Sequence, residues 1–328
     1  DGWYKADGTK LNVATSVTES LALTGWLYVP VKNAGELTAA LANSSIDVIR
    51  LTDDIILTSE LQIIDGRKVT LDLNGHVLNL GGKYILVKGG GSYSFSTLTI
   101  MDSEPTAVHK FTPDTDGLWV WDETNGDKIV KGGVITGGSN TSGGAIVVDW
   151  WSTVTMNGGN IVGCSASQSG GAVCSTSNFS FTMTGGSITG CTASNGSAIH
   201  LKGGKMYANG GTVNGTVLVD VVETNGGTNT GTIGSSGETN ATQFNGDVTN
   251  NGEIGHGTFN GTVENTGTLI GGTYNGLIRN GNSNAEFRNV NSPLGIVENK
   301  PGTGSSTYHT VTFVPADSKM EHTTRYFL

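Results

Sequence analysis

Thr155-Met156-Asn157-Gly158-Gly159-Asn160-Ile161-Val162-Gly163-Cys164 returns 27 residues later as Thr182-Met183-Thr184-Gly185-Gly186-Ser187-Ile188-Thr189-Gly190-Cys191. Gly143-Gly144-Ala145-Ile146 returns at the same step of 27 as Gly170-Gly171-Ala172-Val173. A weaker third copy starts at Gly196-Ser197-Ala198-Ile199 and runs through Gly210-Gly211-Thr212-Val213. A fixed period of about 20–50 residues is the signature of stacked units, each burying its apolar face only against its neighbours.

The period changes downstream. Phe244-Asn245-Gly246, Phe259-Asn260-Gly261 and Tyr274-Asn275-Gly276 recur at a step of 15. The stack is expected to narrow there, with one aromatic ring from each coil stacked inside. Asn-Gly suits a turn that needs positive φ, and Asn above Asn can form an amide ladder along the axis.

Upstream, the spacing predicts one helix, from about Ala34 to Ala42. Asn33 is its N-cap, with Glu36 three residues on in a capping-box arrangement. Leu37, Ala40 and Leu41 share a face. Such a helix would close the open end of a stack that otherwise presents unpaired strand edges. Short Val/Ile/Leu-rich strands follow. Val69-Thr70-Leu71-Asp72-Leu73-Asn74-Gly75-His76-Val77-Leu78-Asn79-Leu80 reads as strand, Asn-Gly turn, strand. Residues 102–128 are irregular and are expected to bulge out as an inserted loop or hairpin, with regular coils from Ile129. Residues 1–32, with Trp3, Tyr4, Trp26 and Tyr28, form an entry β segment. After a linker at 301–306, Tyr308 to Pro315 alternates as one strand, the start of a further module. The boundaries are therefore 1–32, 33–300 and 301–328.

Composition agrees. Among 328 residues there are 51 Gly and only 14% charged residues, well below the roughly 25% of ordinary globular chains. Many short strands and tight turns account for this. The net charge of -10 argues against nucleic acid, which demands clustered Lys and Arg. No apolar run approaches the roughly 20 residues of a membrane span. The chain opens at Asp1 without a signal peptide, and is read as mature or trimmed. Cys164, Cys174 and Cys191 form no CxxC pair. Cys164 and Cys191 hold equivalent repeat positions, so they are expected as a ladder of small buried side chains.

The cap helix, the Val69–Leu80 strand pair and the Gly-Gly-x-Ile repeats with a following Gly-Cys together resemble right-handed parallel β-helix (pectin-lyase-like) repeat proteins of bacterial cell surfaces. Gly143-Gly144-Ala145-Ile146 and Gly170-Gly171-Ala172-Val173 are also similar to the GGA-Ile/Val motif of outer-membrane autotransporter adhesins. The strand from Tyr308 resembles the opening of an internalin-type B repeat. The fold class expected is all-β, a single-stranded parallel β-helix (β-solenoid) with a short N-terminal cap helix. The resemblance implies a secreted protein, displayed on the bacterial surface or attached to the cell wall.

Many proteins of this class cleave acidic polysaccharides. A lyase needs a basic residue for the α-proton and calcium or cations at the uronate carboxylate. The regular coils hold only Lys131, Asp149, His200, Lys202 and Lys205 between 129 and 215. A hydrolase needs two carboxylates roughly 5–9.5 Å apart. Gly255-His256-Gly257 and Asp53-Asp54 match fragments of a polygalacturonase pattern, but they lie about 200 residues apart and the rest is missing. They are read as turns. Asp114-Thr115-Asp116-Gly117, with Asp122, Glu123 and Asp127 nearby, has the oxygen ligands of part of a calcium loop. Asp114, Asp116 and Asp122 are thus metal candidates, against the plainer reading of a solvated loop; no other cofactor is expected. Trp119 and Trp121 alternate on one strand, and Trp150 and Trp151 follow in the next coil. Exposed indoles would stack on sugars or anchor a protein interface; otherwise some of them cover the insertion. Thr258 and Thr273 do not make the flat Thr array of an ice-binding face, because Phe259 and Tyr274 interrupt it.

The expectation is a non-catalytic surface adhesin or display module. Its partners would be host or plant glycans or surface proteins. The alternative is a polysaccharide lyase or glycoside hydrolase with a divergent site.

Overall fold

The computed structural model describes residues 3–4, 24–25, 28–91, 94–176, 180–224, 227–230, 232–234, 241–281, 290–292, 296–299 and 309–312. Trp26, the 301–306 linker and the 313–315 end of the C-terminal strand lie outside them. Each coil contributes one short strand to each of three long sheets. The first sheet has ten parallel strands, from Val29–Val31 to Thr268–Leu269. The second has nine, from Ile55–Ile56 to Thr273–Tyr274. The third starts at Leu61–Ile64 and is parallel through Ile296–Asn299. The chain is a parallel β-solenoid. Nine spacings of about 4.8 Å make the first sheet a rod on the order of 43 Å long.

The sequence repeat is the structural repeat. Thr155 pairs with Thr182 and Met156 with Met183 in the first sheet, and Ile161 with Ile188 in the second. Inward side chains from the three sheets make one continuous core, including Val154, Met156, Ile161 and Val173, which have no exposure, and their buried equivalents in neighbouring coils. Cys164 and Cys191 are reduced and buried, and the Cys164 amide approaches Cys191 Sγ at 3.4 Å.

The helix Ala34–Ala42 closes one end. Asn33 Oδ1 accepts from the Glu36 amide at 2.9 Å, and Glu36 returns a bond from the Lys32 amide at 3.0 Å. Leu37 is fully buried in the end of the core. The stack begins earlier than the sequence suggested, because Val29–Val31 already pairs with Val48–Leu51 ahead of the helix. Its alternation was too short to read. At the other end, His309–Thr312 pairs antiparallel with Ile296–Asn299.

The insertion is a three-stranded antiparallel sheet, Val108–Pro113, Trp119–Trp121 and Lys128–Lys131. It reaches past residue 128, so regular coils resume at Val134–Thr136 rather than at Ile129. Phe111 and Val130 pack on Val77, Val134 and Val162, which are the outward residues of the second sheet. This second small core explains why those strands are apolar on both faces.

In the narrow coils the Phe244 and Phe259 rings stack at 4.9 Å and 5°, and Phe259 and Tyr274 at 4.9 Å and 14°. Asn245, Asn260 and Asn275 form the expected outer amide ladder, with bonds of 2.7 Å and 2.8 Å. A second ladder runs inside, where Asn250 donates to Asn265 at 2.7 Å and Asn265 to Asn280 at 3.3 Å. Asn250 also accepts from the Gly252 amide at 3.1 Å, so the buried amides hold the turn as well as each other.

Candidate functional site

The four tryptophans separate into two pairs. Trp119 and Trp121 are half-buried and pack against the small core under the insertion. The Trp119 amide donates to Gly190 O at 2.9 Å. A Cβ at Gly190 would lie 2.2 Å from Trp119 Cγ, and one at Gly163 would lie 1.6 Å from Trp119 O. Gly163 and Gly190 are the equivalent glycines before Cys164 and Cys191, so two successive repeats are cleared for one docked strand. Trp121 Nε1 donates to Glu123 Oε1 at 2.6 Å. Glu123 also meets His109 Nδ1 at 2.9 Å, while His109 Nε2 reaches Gly75 O at 2.7 Å. Burial raises the Glu123 pKa, but the bonds from Trp121 and His109 outweigh it and leave the carboxyl below its ordinary value. These two indoles fasten the insertion to the rod.

Trp150 and Trp151 occupy the corner between the third-sheet strand Ile146–Val148 and the first-sheet strand Ser152–Met156. They form a turn, not a strand, so strand alternation does not decide which points inward. Trp151 has φ of 55°. Its carbonyl accepts from the Ser96 amide at 3.0 Å, and the Trp150 carbonyl accepts from the Gly89 amide at 2.7 Å. Trp150 is 53% exposed and Phe95 42% exposed. The Phe95 and Trp151 rings meet edge to face at 5.3 Å. Beside them Asp149 pairs with Lys88 at 3.4 Å and accepts from Thr176 Oγ1 at 2.7 Å. The result is an exposed aromatic corner on a fixed backbone, flanked by a charged pair.

Asp114, Asp116 and Asp122 are not gathered. Asp114 and Asp116 lie in the turn before Trp119–Trp121, and Asp122 lies in the turn after it. Asp114 Oδ1 accepts from the Asp116 and Leu118 amides at 2.8 Å and 2.9 Å. Asp122 Oδ1 accepts from the Asn125 and Thr124 amides at 2.8 Å and 3.1 Å. These bonds, with Asn125 foremost, hold the Asp122 carboxyl below its ordinary pKa. Among the described residues no group of three or more His, Cys, Asp or Glu side chains is placed to hold a metal ion.

Asp53 and Asp54 also serve the backbone. Asp54 Oδ1 accepts from the Val77 amide at 2.8 Å, and Asp53 Oδ1 from the Asp54 amide at 2.9 Å. Asp102, inside the insertion boundary, accepts from the Gly75 and Gly133 amides at 2.7 Å each. Burial raises its pKa despite those bonds. These acidic side chains hold turns together.

The structure assembles one constellation that sequence reading missed. His200 stands on the outer face of the third sheet, and its Nε2 bonds Asp220 Oδ2 at 2.7 Å. The two residues lie 20 apart but on neighbouring strands, with Lys202 in register with Asp220. They line a groove of about 400 Å3 together with Ser167, Gln168, Ser169, Ser194, Asn195, Lys202 and Leu218. Burial lowers the His200 pKa, more than Asp220 raises it. The signal available in the sequence was the column itself. Val147, Cys174, His200 and Leu218 are successive register partners, and only one of the four is ionisable near neutral pH.

No protein-family model, no curated protein and no solved structure matches the chain.

Proposed function

We propose that this chain is a non-catalytic module of a bacterial surface protein, an adhesin or display stalk of the pectin-lyase-like class, with the aromatic corner as its contact surface. The observation that carries this reading is the corner where exposed Trp150 and Phe95 flank half-buried Trp151, set on a rod whose repeats supply stiffness. Stacked coils bury a continuous core and hold their surface side chains at fixed spacing, which suits presentation at a distance from an anchor. Flat aromatic faces with little conformational entropy to lose suit sugar rings or a protein hot spot. The GGA-Ile/Val repeats support the adhesin form of the reading, and a secreted, surface-attached location follows from it.

The test is retention of the purified chain on immobilised host and plant glycans and surface proteins, with and without calcium. Retention lost in Trp150→Ala is the expected result. Cleavage of a polysaccharide by the chain, abolished in Asp149→Asn or Asp220→Asn, would instead establish the lyase or hydrolase alternative. A calcium requirement that disappears in Asp114→Asn would return the insertion turn to the site.

A further inference from the structure

The position of His200 breaks a local rule. Its column takes Val147 one coil beyond Cys174 on one side and Leu218 on the other, and both cysteine and histidine are almost wholly buried. Burying an imidazole among such neighbours is costly unless both nitrogens are satisfied. Here Nε2 is bonded to Asp220, but Nδ1 is buried without a partner. A valine or leucine would fill the same place without that cost. Departures from local consistency of this kind concentrate at functional sites.

What the imidazole achieves is the orientation of Asp220. Asp220 Oδ2 accepts from His200 at 2.7 Å and Oδ1 from Asn251 Nδ2 at 2.8 Å. Both bonds are short, and the carboxylate retains 32% side-chain exposure toward the groove. Each oxygen keeps acceptor capacity for a ligand. Lys202 supplies an ammonium donor on the same wall, and Gln168 and Asn195 each supply an amide that donates and accepts. Leu218 gives an apolar patch on the floor.

We propose that this groove binds an uncharged saccharide, with Asp220 and Lys202 as the hydrogen-bonding residues and His200 as a positioning residue. The chemistry selects that class. Asp220 repels an anion and Lys202 repels a cation, so the facing charges sum to zero. Vicinal hydroxyls donate and accept at once, matching a wall that carries an acceptor, a donor and two amides. The volume falls within the roughly 300–1,000 Å3 of small-ligand sites. None of the corner residues Phe95, Trp150 and Trp151 lines the groove, so the inference does not depend on the corner binding anything.

The test uses the full chain, isotopically labelled, with cellobiose, lactose and maltose as probes at millimolar concentration. The expected result is saturable backbone-amide shifts with at least one sugar, confined to 167–169, 194–202 and 218–220. Asp220→Asn should weaken that binding at least about tenfold, since a hydrogen bond to a charged group is lost. Lys202→Gln provides a second reading should Asp220→Asn disturb the fold. His200→Leu should fold and still weaken binding, whereas a purely structural His200 would leave affinity unmoved. Absence of shifts with all three sugars would overturn the proposal, as would undiminished binding in Asp220→Asn and Lys202→Gln. Shifts confined to residues 95 and 149–151 would overturn the groove while upholding the aromatic corner.

Discussion

The coils around residues 134–214 and those around 243–280 solve one problem in two ways. Both place a strand in each of three sheets, yet the wide coil uses 27 residues and the narrow one 15. Some of the additional residues lengthen strands, as in Ser152–Met156 against Glu253–Ile254, but most go into the turns. There Ser139–Ser142 and Ser165–Ser169 pair as a small parallel sheet of their own. The wide coils fill their core mainly with aliphatic side chains, with Phe181 among them, and the narrow ones combine aliphatic residues such as Val263 and Leu269 with one ring and one asparagine per coil. The narrow coil has almost no side chain that its neighbours do not need. The groove, the aromatic corner and the insertion all lie outside the narrow coils, because long turns leave side chains free of stacking duties.

If the narrow coils live by their interior ladders, breaking one rung should be severe. Phe259 is fully buried between two stacked rings. Phe259→Ala should cost about 3–5 kcal/mol, read by urea denaturation as early loss of the C-terminal coils. A loss confined to below about 1 kcal/mol would mean that the rings contribute little beyond filling space. Asn265→Ala comes next. It removes the 2.7 Å acceptor of Asn250 in the buried ladder and leaves that amide only its 3.2 Å bond to Thr268 O, at a cost of about 1–3 kcal/mol. An unchanged unfolding midpoint would show that water replaces the rung.

The wide coils should answer to pH through His200. Folded His200 binds its proton less tightly than the ordinary value of about 6.5. The unfolded chain therefore takes up protons first as pH falls. This residue's contribution is intact above about pH 6.5 and is lost as pH drops through that value toward the lower folded pKa. His200→Leu should change stability by less than about 1 kcal/mol at pH 7 and flatten the acid decline. A decline of the same steepness in the variant would assign the effect to other groups. A similarly small effect is expected at the outer ladder. Asn260→Ala should cost about 0.5–1 kcal/mol, since water can serve the exposed Asn245 and Asn275 amides. A loss equal to that of Asn265→Ala would erase the distinction between the inner and outer ladders.

Legibility followed the range of the interaction. The helix cap at Asn33, the 27-residue register and the stacked Phe244, Phe259 and Tyr274 were readable because each depends on residues nearby or at a constant step. Trp150 and Trp151 were not placed, because strand alternation has no meaning in a turn where Trp151 adopts positive φ. Trp119 and Trp121 were visible as a pair. That they pack on the second sheet depended on Gly163 and Gly190 making room far along the chain. Asp220 was overlooked beside His200 because it follows the repeated segment, at a spacing that no motif marks.

The sequence alone determined a stack of coils, its change of width and its capping helix. These arise from periodicity, where every repeat sees the same neighbours and a pattern in one dimension becomes a pattern in space. Only the tertiary structure decided which outward side chains meet. Residues on adjacent coils stand about 4.8 Å apart whatever their separation in the chain. The distance from His200 to Asp220, and the exposure of the aromatic corner, are set by turn lengths and by what packs over the sheets, and a local pattern does not carry that information.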